Sequence, residues 1–168
     1  MLTTIGYERA TLADFVATLQ LVEIDILVDI RERAQSRRPG FSKKALEAAV
    51  QDVGIKYIHL PQLGDPKEGR DAARSGNMSR FLEIYHSIIN KAPALLALDR
   101  LESLASNSNI CLMCFERDHR DCHRKLVAEE LELRLNIKAL HSGVVQGAGD
   151  GGRDRRVLYP YQGAAASF

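Results

Sequence analysis

DILVDI, residues 25–30, decides the architecture. It is apolar and β-branched from Ile26 to Val28, too short for a helix, and it shows no polar/apolar alternation. A run of that kind reads as a strand buried on both faces. Such strands lie inside parallel sheets covered by helices, so the flanking sequence should supply helices. It does. Upstream, LTTIG (2–6) reads as a first strand, and Thr11 is placed to cap a helix through TLADFVATLQLV (11–22), with Leu12, Phe15, Val16 and Leu19 on one face. Downstream, SKKALEAAVQDVG (42–54) opens on a capping Ser42 and stops at Gly54.

The alternation continues to the far end. IKYIHL (55–60) reads as strand three and NICLMCF (109–115) as strand four. Helical patterns cover about 78–90, 94–106 and CHRKLVAEELELRL (122–135), and IKALHS (137–142) is the last strand. The expected fold is a three-layer α/β sandwich around a mostly parallel five-stranded sheet, in the order 3-2-1-4-5, with helices on both faces. The expected domain covers 1–142. The Gly- and Arg-rich tail 143–168 breaks the pattern; its first half should be mobile, while VLYPY (157–161) could dock. The polar stretch PQLGDPKEGRDAARSGN (61–77) is long for a connection and reads as a binding loop or lid, with Arg70 and Arg74 able to close on an anion.

Composition narrows the function classes. A chain of 168 residues suits one domain with a single core. Net charge is +1, so no overall basic field argues for nucleic acid. The charge is uneven, however: residues 31–44 hold six Lys/Arg and one Glu. No apolar run reaches the roughly 18 residues of a membrane span, and no signal-like segment opens the chain. Three cysteines without secretory context point to reduced thiols and a cytoplasmic location. TIGYERATL, after strand one, lacks the glycines of a dinucleotide fingerprint.

In an open parallel sheet, ligands bind beyond the carboxyl ends of the strands. Those ends carry Gly6 and Tyr7 after strand one, Arg31 and the basic loop with Ser36 and Arg37 after strand two, and Cys114 and Glu116 after strand four. The last long helix then opens on Cys122, His123 and Arg124. Cations in a first turn oppose the helix dipole, a broken local rule of the kind that marks function. Arg31, Ser36, Arg37 and Arg124 are therefore the expected anion holders, with Gly6, Tyr7 and Cys114 in the cleft. The alternative is that the cations of that first turn, His123, Arg124 and Lys125, reach solvent or pair with Glu129 or Asp121. Glu116 reads as a general base or as a group that positions Arg31 or Arg124. Cys122, at a helix start beside His123 and Arg124, has the surroundings of a reactive thiol. Asp29, in a strand interior, needs a buried partner such as Arg31. His59 and His141 read as satisfied core or rim histidines.

Cys111-x-x-Cys114 looks like half a zinc site. Positions three apart in a strand face opposite ways, so Cys111 reads as core. Cys114, Cys122 and His123, with Glu116 or His119 as a fourth, remain a candidate zinc set, although neighbouring Cys and His would be strained within one helical turn. The expected cofactor is none, with zinc the alternative. The Cys-x5-Arg spacing of CFERDHR (114–120) would cradle phosphate only if its loop were small and neutral, and Glu116 and Asp118 spoil that.

TIGY (4–7), LVDIRERAQSRRPGF (27–41), GIKYIHLPQLGD (54–65) and LMCFERDHRDCHR (112–124), in that order, resemble the family known as domain of unknown function 488. The resemblance runs over about residues 3–142. The matching positions are Gly6, Asp29, Arg31, Ser36, Arg37, Tyr57, Leu63, Gly64, Cys114, Glu116, Cys122, His123 and Arg124. Glu8, Asp65 and the segment 32–35 depart from the family pattern, where Ser, a second Gly and a Pro/Tyr-containing stretch are usual. The resemblance implies a three-layer α/β domain and no established reaction. The functions expected from the residues are an enzyme, a hydrolase or group transferase, on a phosphorylated or nucleotide-like small molecule; a nucleic-acid-binding module using the 31–44 loop and the tail arginines Arg153, Arg155 and Arg156; or a zinc-binding regulatory domain.

Overall fold

The computed structural model describes residues 1–150; VLYPY and the three tail arginines lie outside that range. Five strands, β1 (Leu2–Gly6), β2 (Ile26–Asp29), β3 (Lys56–His59), β4 (Ile110–Cys114) and β5 (Leu140–Ser142), form one sheet. Every pairing is parallel, and the order is β3-β2-β4-β1-β5. The expected order 3-2-1-4-5 is therefore corrected: β4 separates β1 from β2. Both β1 and β4 are buried along their whole length, so neither carries the exposed face that would betray its place. The pairing shows at the strand starts, where the Asp25 carboxylate accepts from the Asn109 N–H and the Asp25 N–H donates to the Asn109 carbonyl. That locks β2 beside β4 before either strand begins.

Among the described residues, six α-helices connect or follow the strands: α1 (Leu12–Leu21), α2 (Lys43–Gln51), α3 (Lys67–Arg74), α4 (Met78–Ile89), α5 (Ala92–Ala105) and α6 (Arg124–Leu135). Thr11 caps α1, accepting from the Asp14 N–H. Ser42 stands at the start of α2 but turns its hydroxyl to the Ser36 backbone instead of the helix. The polar stretch 61–77 is not the open connection expected of it. It holds a 3₁₀ turn at Pro61–Leu63 and all of α3. Helix α3 buries only Gly69 and Ala72, so it has no apolar stripe for sequence periodicity to detect.

Alternate strand residues feed two clusters of buried side chains. Ile26, Val28 and Leu112 join Phe81 and Tyr85 of α4, Leu98 of α5 and Leu131 of α6. Ile5, Leu27, Cys111 and Met113 join Phe15 and Leu19 of α1 and Leu46 and Val50 of α2. At roughly 1.5–3 kcal/mol for each fully buried large side chain, both clusters contribute to holding the strand ends in place. The start of the tail, expected to be mobile, runs along α1: the Val145 N–H donates to Thr18 Oγ1 and the Gly149 N–H to the Asp14 carboxylate. Among the described residues, no helix is long and apolar enough to cross a membrane.

Candidate functional site

With β4 between β1 and β2, the three strand ends that carry the polar residues are adjacent. They open into one cleft of about 840 Å³, within the range of small-molecule sites. Its wall after β2 is the basic loop. Arg31 is the anchor of that wall. It is buried and holds Asp29 through Nε and Nη2, at 2.8 and 2.6 Å, and the Tyr7 hydroxyl and the Phe41 carbonyl through Nη1. Tyr57 donates at 2.6 Å to Asp29 Oδ2, the oxygen that also accepts from Arg31 Nη2. The buried carboxylate is thus fully partnered, as burial demands. Arg31 lines the cleft, but most of its hydrogen-bonding capacity is committed to building it.

The guanidiniums that do face the cleft uncommitted lie farther out. Arg33 and Arg37 on the loop and Arg74 on α3 are exposed, line the cleft, and make neither hydrogen bond nor ion pair among the described residues. Arg70 of α3 also lines it, bonded to the Glu32 carboxylate and the Asp65 carbonyl. Ser36 lines the cleft and accepts from the Arg38 N–H, which shapes the loop. The Phe115 ring, 36 % exposed, stands edge-on to Tyr7 at the rim.

The floor is made by β4 and the turn before α6. Cys114, the last residue of β4, places Sγ 3.7 Å from Nδ1 of His123 and 3.5 Å from Oε2 of Glu116. Cys122 Sγ is 3.9 Å from the same Nδ1. The Nε2 of His123 is 3.0 Å from the Ile30 carbonyl. A carbonyl only accepts, so Nε2 carries a proton, and Nδ1, facing both sulfurs, holds a lone pair in the neutral ring and a second proton in the imidazolium. Burial pushes the Cys122 thiol up, but the neighbouring Cys114 S–H and the His123 charge outweigh it and hold Cys122 well below its ordinary value. Cys114 is held well above its own, first by the Cys122 sulfur and then by burial. His123, despite burial, is raised by Cys122. Burial, then the Cys122 charge, pushes the Glu116 carboxyl up to about 7.

Two expected site residues lie behind the cleft rather than in it. Arg124 is 1 % exposed, and its Nη1 and Nη2 donate to the carbonyls of Glu116 and Arg117. That corrects the reading of Arg124 as an anion holder: its charge is bent back to pin the 115–118 turn. Its neighbour Lys125 pairs with Glu129 at 3.5 Å, the alternative considered for these cations. Gly6 is the other. A Cβ there would lie 1.8 Å from the Glu116 carbonyl oxygen, so its lack of a side chain lets the turn close over β1. Tyr7, Arg31, Ser36, Arg37, Cys114, Glu116, Cys122 and His123 all line the cleft. His59 meets the Arg31 carbonyl at 2.8 Å and His141 meets Thr4 Oγ1 at 2.9 Å.

Asp65 is the floor residue that sequence reading did not select. It is buried, its Oδ1 has no partner among the described residues, and burial pushes its carboxyl up to about 6 against the pull of His123 and Arg70. Its only signal in sequence is an acid between Gly64 and Pro66 just past a strand. The strain expected of neighbouring Cys and His ligands is absent. Cys122 is extended, with φ −137° and ψ 141°, and the helix begins only after it. Cys114, Cys122 and His123 each offer a donor atom, all within 4.8 Å of one another, and they are the group that could hold a metal among the described residues. Cys111 is packed in the α1/α2 cluster, where burial pushes its thiol up.

A family model described as domain of unknown function DUF488 matches residues 11–131. No curated protein and no solved structure matches the chain. The match spans most of the chain and takes in the basic loop, Asp65, β4 and the start of α6: the protein belongs to the DUF488 family.

Proposed function

We propose that this DUF488 protein is an enzyme, a hydrolase or group transferase, acting on a phosphorylated or nucleotide-like small molecule. One observation carries the reading: uncommitted arginines and a thiol–imidazole–carboxyl floor face the same cleft. Arg33, Arg37 and Arg74 offer cations to the substrate's anionic group, and a guanidinium matches phosphate with two parallel hydrogen bonds. Phe115 offers a ring face at the rim, which suits a substrate with a planar part. Below, Cys122 is the nucleophile. Its sulfur attacks the electrophilic centre, and His123, fixed by the Ile30 carbonyl, orients it. Glu116, beside the sulfurs, hands its proton to the leaving group and recovers one from the water or acceptor that resolves the intermediate.

The test is a thermal-shift screen at low salt on reduced, chelator-treated protein, against inorganic phosphate, mononucleotides and sugar phosphates. A ligand at about 100 times its Kd adds about 2.7 kcal/mol, a rise of roughly 5–10 °C for a chain of this size. The expected result is a rise with one class, lost in Arg37→Ala and kept in Cys122→Ser, which abolishes turnover alone. A rise confined to oligonucleotides and fading with salt would make the basic loop a nucleic-acid surface instead. Flat curves would end the anion reading.

A further inference from the structure

We infer that the floor of the cleft is a soft divalent-metal site of the zinc class, held by Cys114 Sγ, Cys122 Sγ and His123 Nδ1, and that the metal-loaded protein is a form in which Cys122 is blocked. The inference goes beyond the anion reading and does not depend on it.

Geometry carries it. A tetrahedral zinc with ordinary Zn–S and Zn–N lengths sets its sulfur and nitrogen ligands about 3.6 Å apart. The Nδ1 of His123 already sits 3.7 Å from one sulfur and 3.9 Å from the other, within tenths of an ångström of that spacing, and all three donor atoms lie within 4.8 Å of one another. The imidazole presents the right atom, because its Nε2 is tied to the Ile30 carbonyl at 3.0 Å. Metal-bound histidines use this same outer hydrogen bond to fix tautomer and ring direction. Cys114 ends β4, and Cys122 and His123 stand just before α6, on the far side of the 115–118 turn that Arg124 pins by two carbonyls. Two thiolates and an imidazole select zinc over magnesium or calcium, which take oxygen. The three ligands line the cleft, so the fourth position is open to water or to an oxygen of Glu116, whose Oε2 is 3.5 Å from Cys114 Sγ.

Binding places both sulfurs on the metal as thiolates and releases any thiol proton to solvent. The lone pair that Cys122 would use as a nucleophile is then engaged. Zinc and an electrophile therefore compete for one sulfur.

The experiment uses the full chain, reduced and stripped with a chelator, titrated with Zn²⁺ against a chromophoric chelator and with Co²⁺ as a spectroscopic stand-in. One metal per chain and a thiolate-to-cobalt charge-transfer band are expected. Cys111→Ala keeps both. Cys114→Ser lowers affinity by more than the roughly 10- to 100-fold that losing an outer partner costs. Where Cys114→Ser does not fold, the wild-type chain decides: Zn²⁺ slows iodoacetamide labelling of Cys122 and leaves that of Cys111 unchanged. The inference is overturned if Zn²⁺ does not bind, if Cys111→Ala weakens it as much as Cys114→Ser, or if labelling of Cys122 is indifferent to the metal.

Discussion

Replacing Gly6 with alanine tests how the site is built. The added Cβ would stand 1.8 Å from the Glu116 carbonyl oxygen, 2.7 Å from its carbon and 3.2 Å from Arg117 Cα. These are backbone atoms, so no rotamer change relieves them; the 115–118 turn must withdraw by more than an ångström. That movement pulls on the bonds that hold it. Glu8 N–H donates to the Phe115 carbonyl at 2.8 Å, and Tyr7 N–H to the Cys114 carbonyl at 3.3 Å. Arg124 donates to the carbonyls of Glu116 and Arg117. Neutral bonds contribute about 1 kcal/mol each and charge-assisted ones about 1.5–3. Losing part of this set costs about 3–5 kcal/mol, a fall in Tm of roughly 6–20 °C at this chain length. Gly143→Ala is the control: its Cβ meets nothing within 4 Å among the described residues, so it should stay within about 0.5 kcal/mol of wild type. Glu116 moves with its backbone, and a displacement of about 1 Å can cost a factor of about 100 in rate. Scanning calorimetry of the two variants checks the stability. A Gly6→Ala melt within about 2 °C of wild type would refute the close approach and, with it, the account of how Glu116 is placed.

Further tests address the remaining elements. Arg124→Leu leaves the Glu116 and Arg117 carbonyls without their charged donor and should lose about 3–5 kcal/mol in urea unfolding, whereas Arg37→Ala, on an exposed side chain, should lose less than about 0.5; equal losses would return Arg124 to the surface role rejected above. Iodoacetamide should label Cys122, in the cleft, before Cys111, in the core, with peptide mass mapping reading the order; the reverse order would remove Cys122 as a nucleophile. His141 is held down to about 4 from 6.5 by burial and then by its stacked neighbour His119, whose ring is 3.7 Å away. The unfolded chain therefore takes up this proton at higher pH than the folded one. Its contribution is full above about pH 6.5 and is lost as pH falls toward 4. For a partly exposed ring, solvent screening leaves about 1–2 kcal/mol. His141→Gln should flatten that part of the stability profile, and an unchanged slope would count against the assignment.

Much of this molecule was legible in one dimension. The short β-rich runs of β1, β2 and β4, the capping Thr11 and the positions of most helices follow from local preferences and periodicity, which neighbours in sequence determine. The placement of polar residues at strand ends followed from the same reading, and so did the separation of Cys111 from Cys114, because a pleated strand turns positions three apart to opposite faces. Tertiary structure alone decided the rest. The place of β4 between β2 and β1 depends on pairings between strands tens of residues apart, and equally apolar strands carry no label for their neighbours. Helix α3 has too little apolar surface to announce itself. Arg33 and Arg124 are the same residue type in similarly charged segments; only packing left one exposed at the cleft and turned the other inward onto two carbonyls. The meeting of Cys114, Cys122 and His123 likewise depends on the extended backbone at Cys122 and on the Ile30 carbonyl, which lies 93 positions away in the chain from the imidazole it orients.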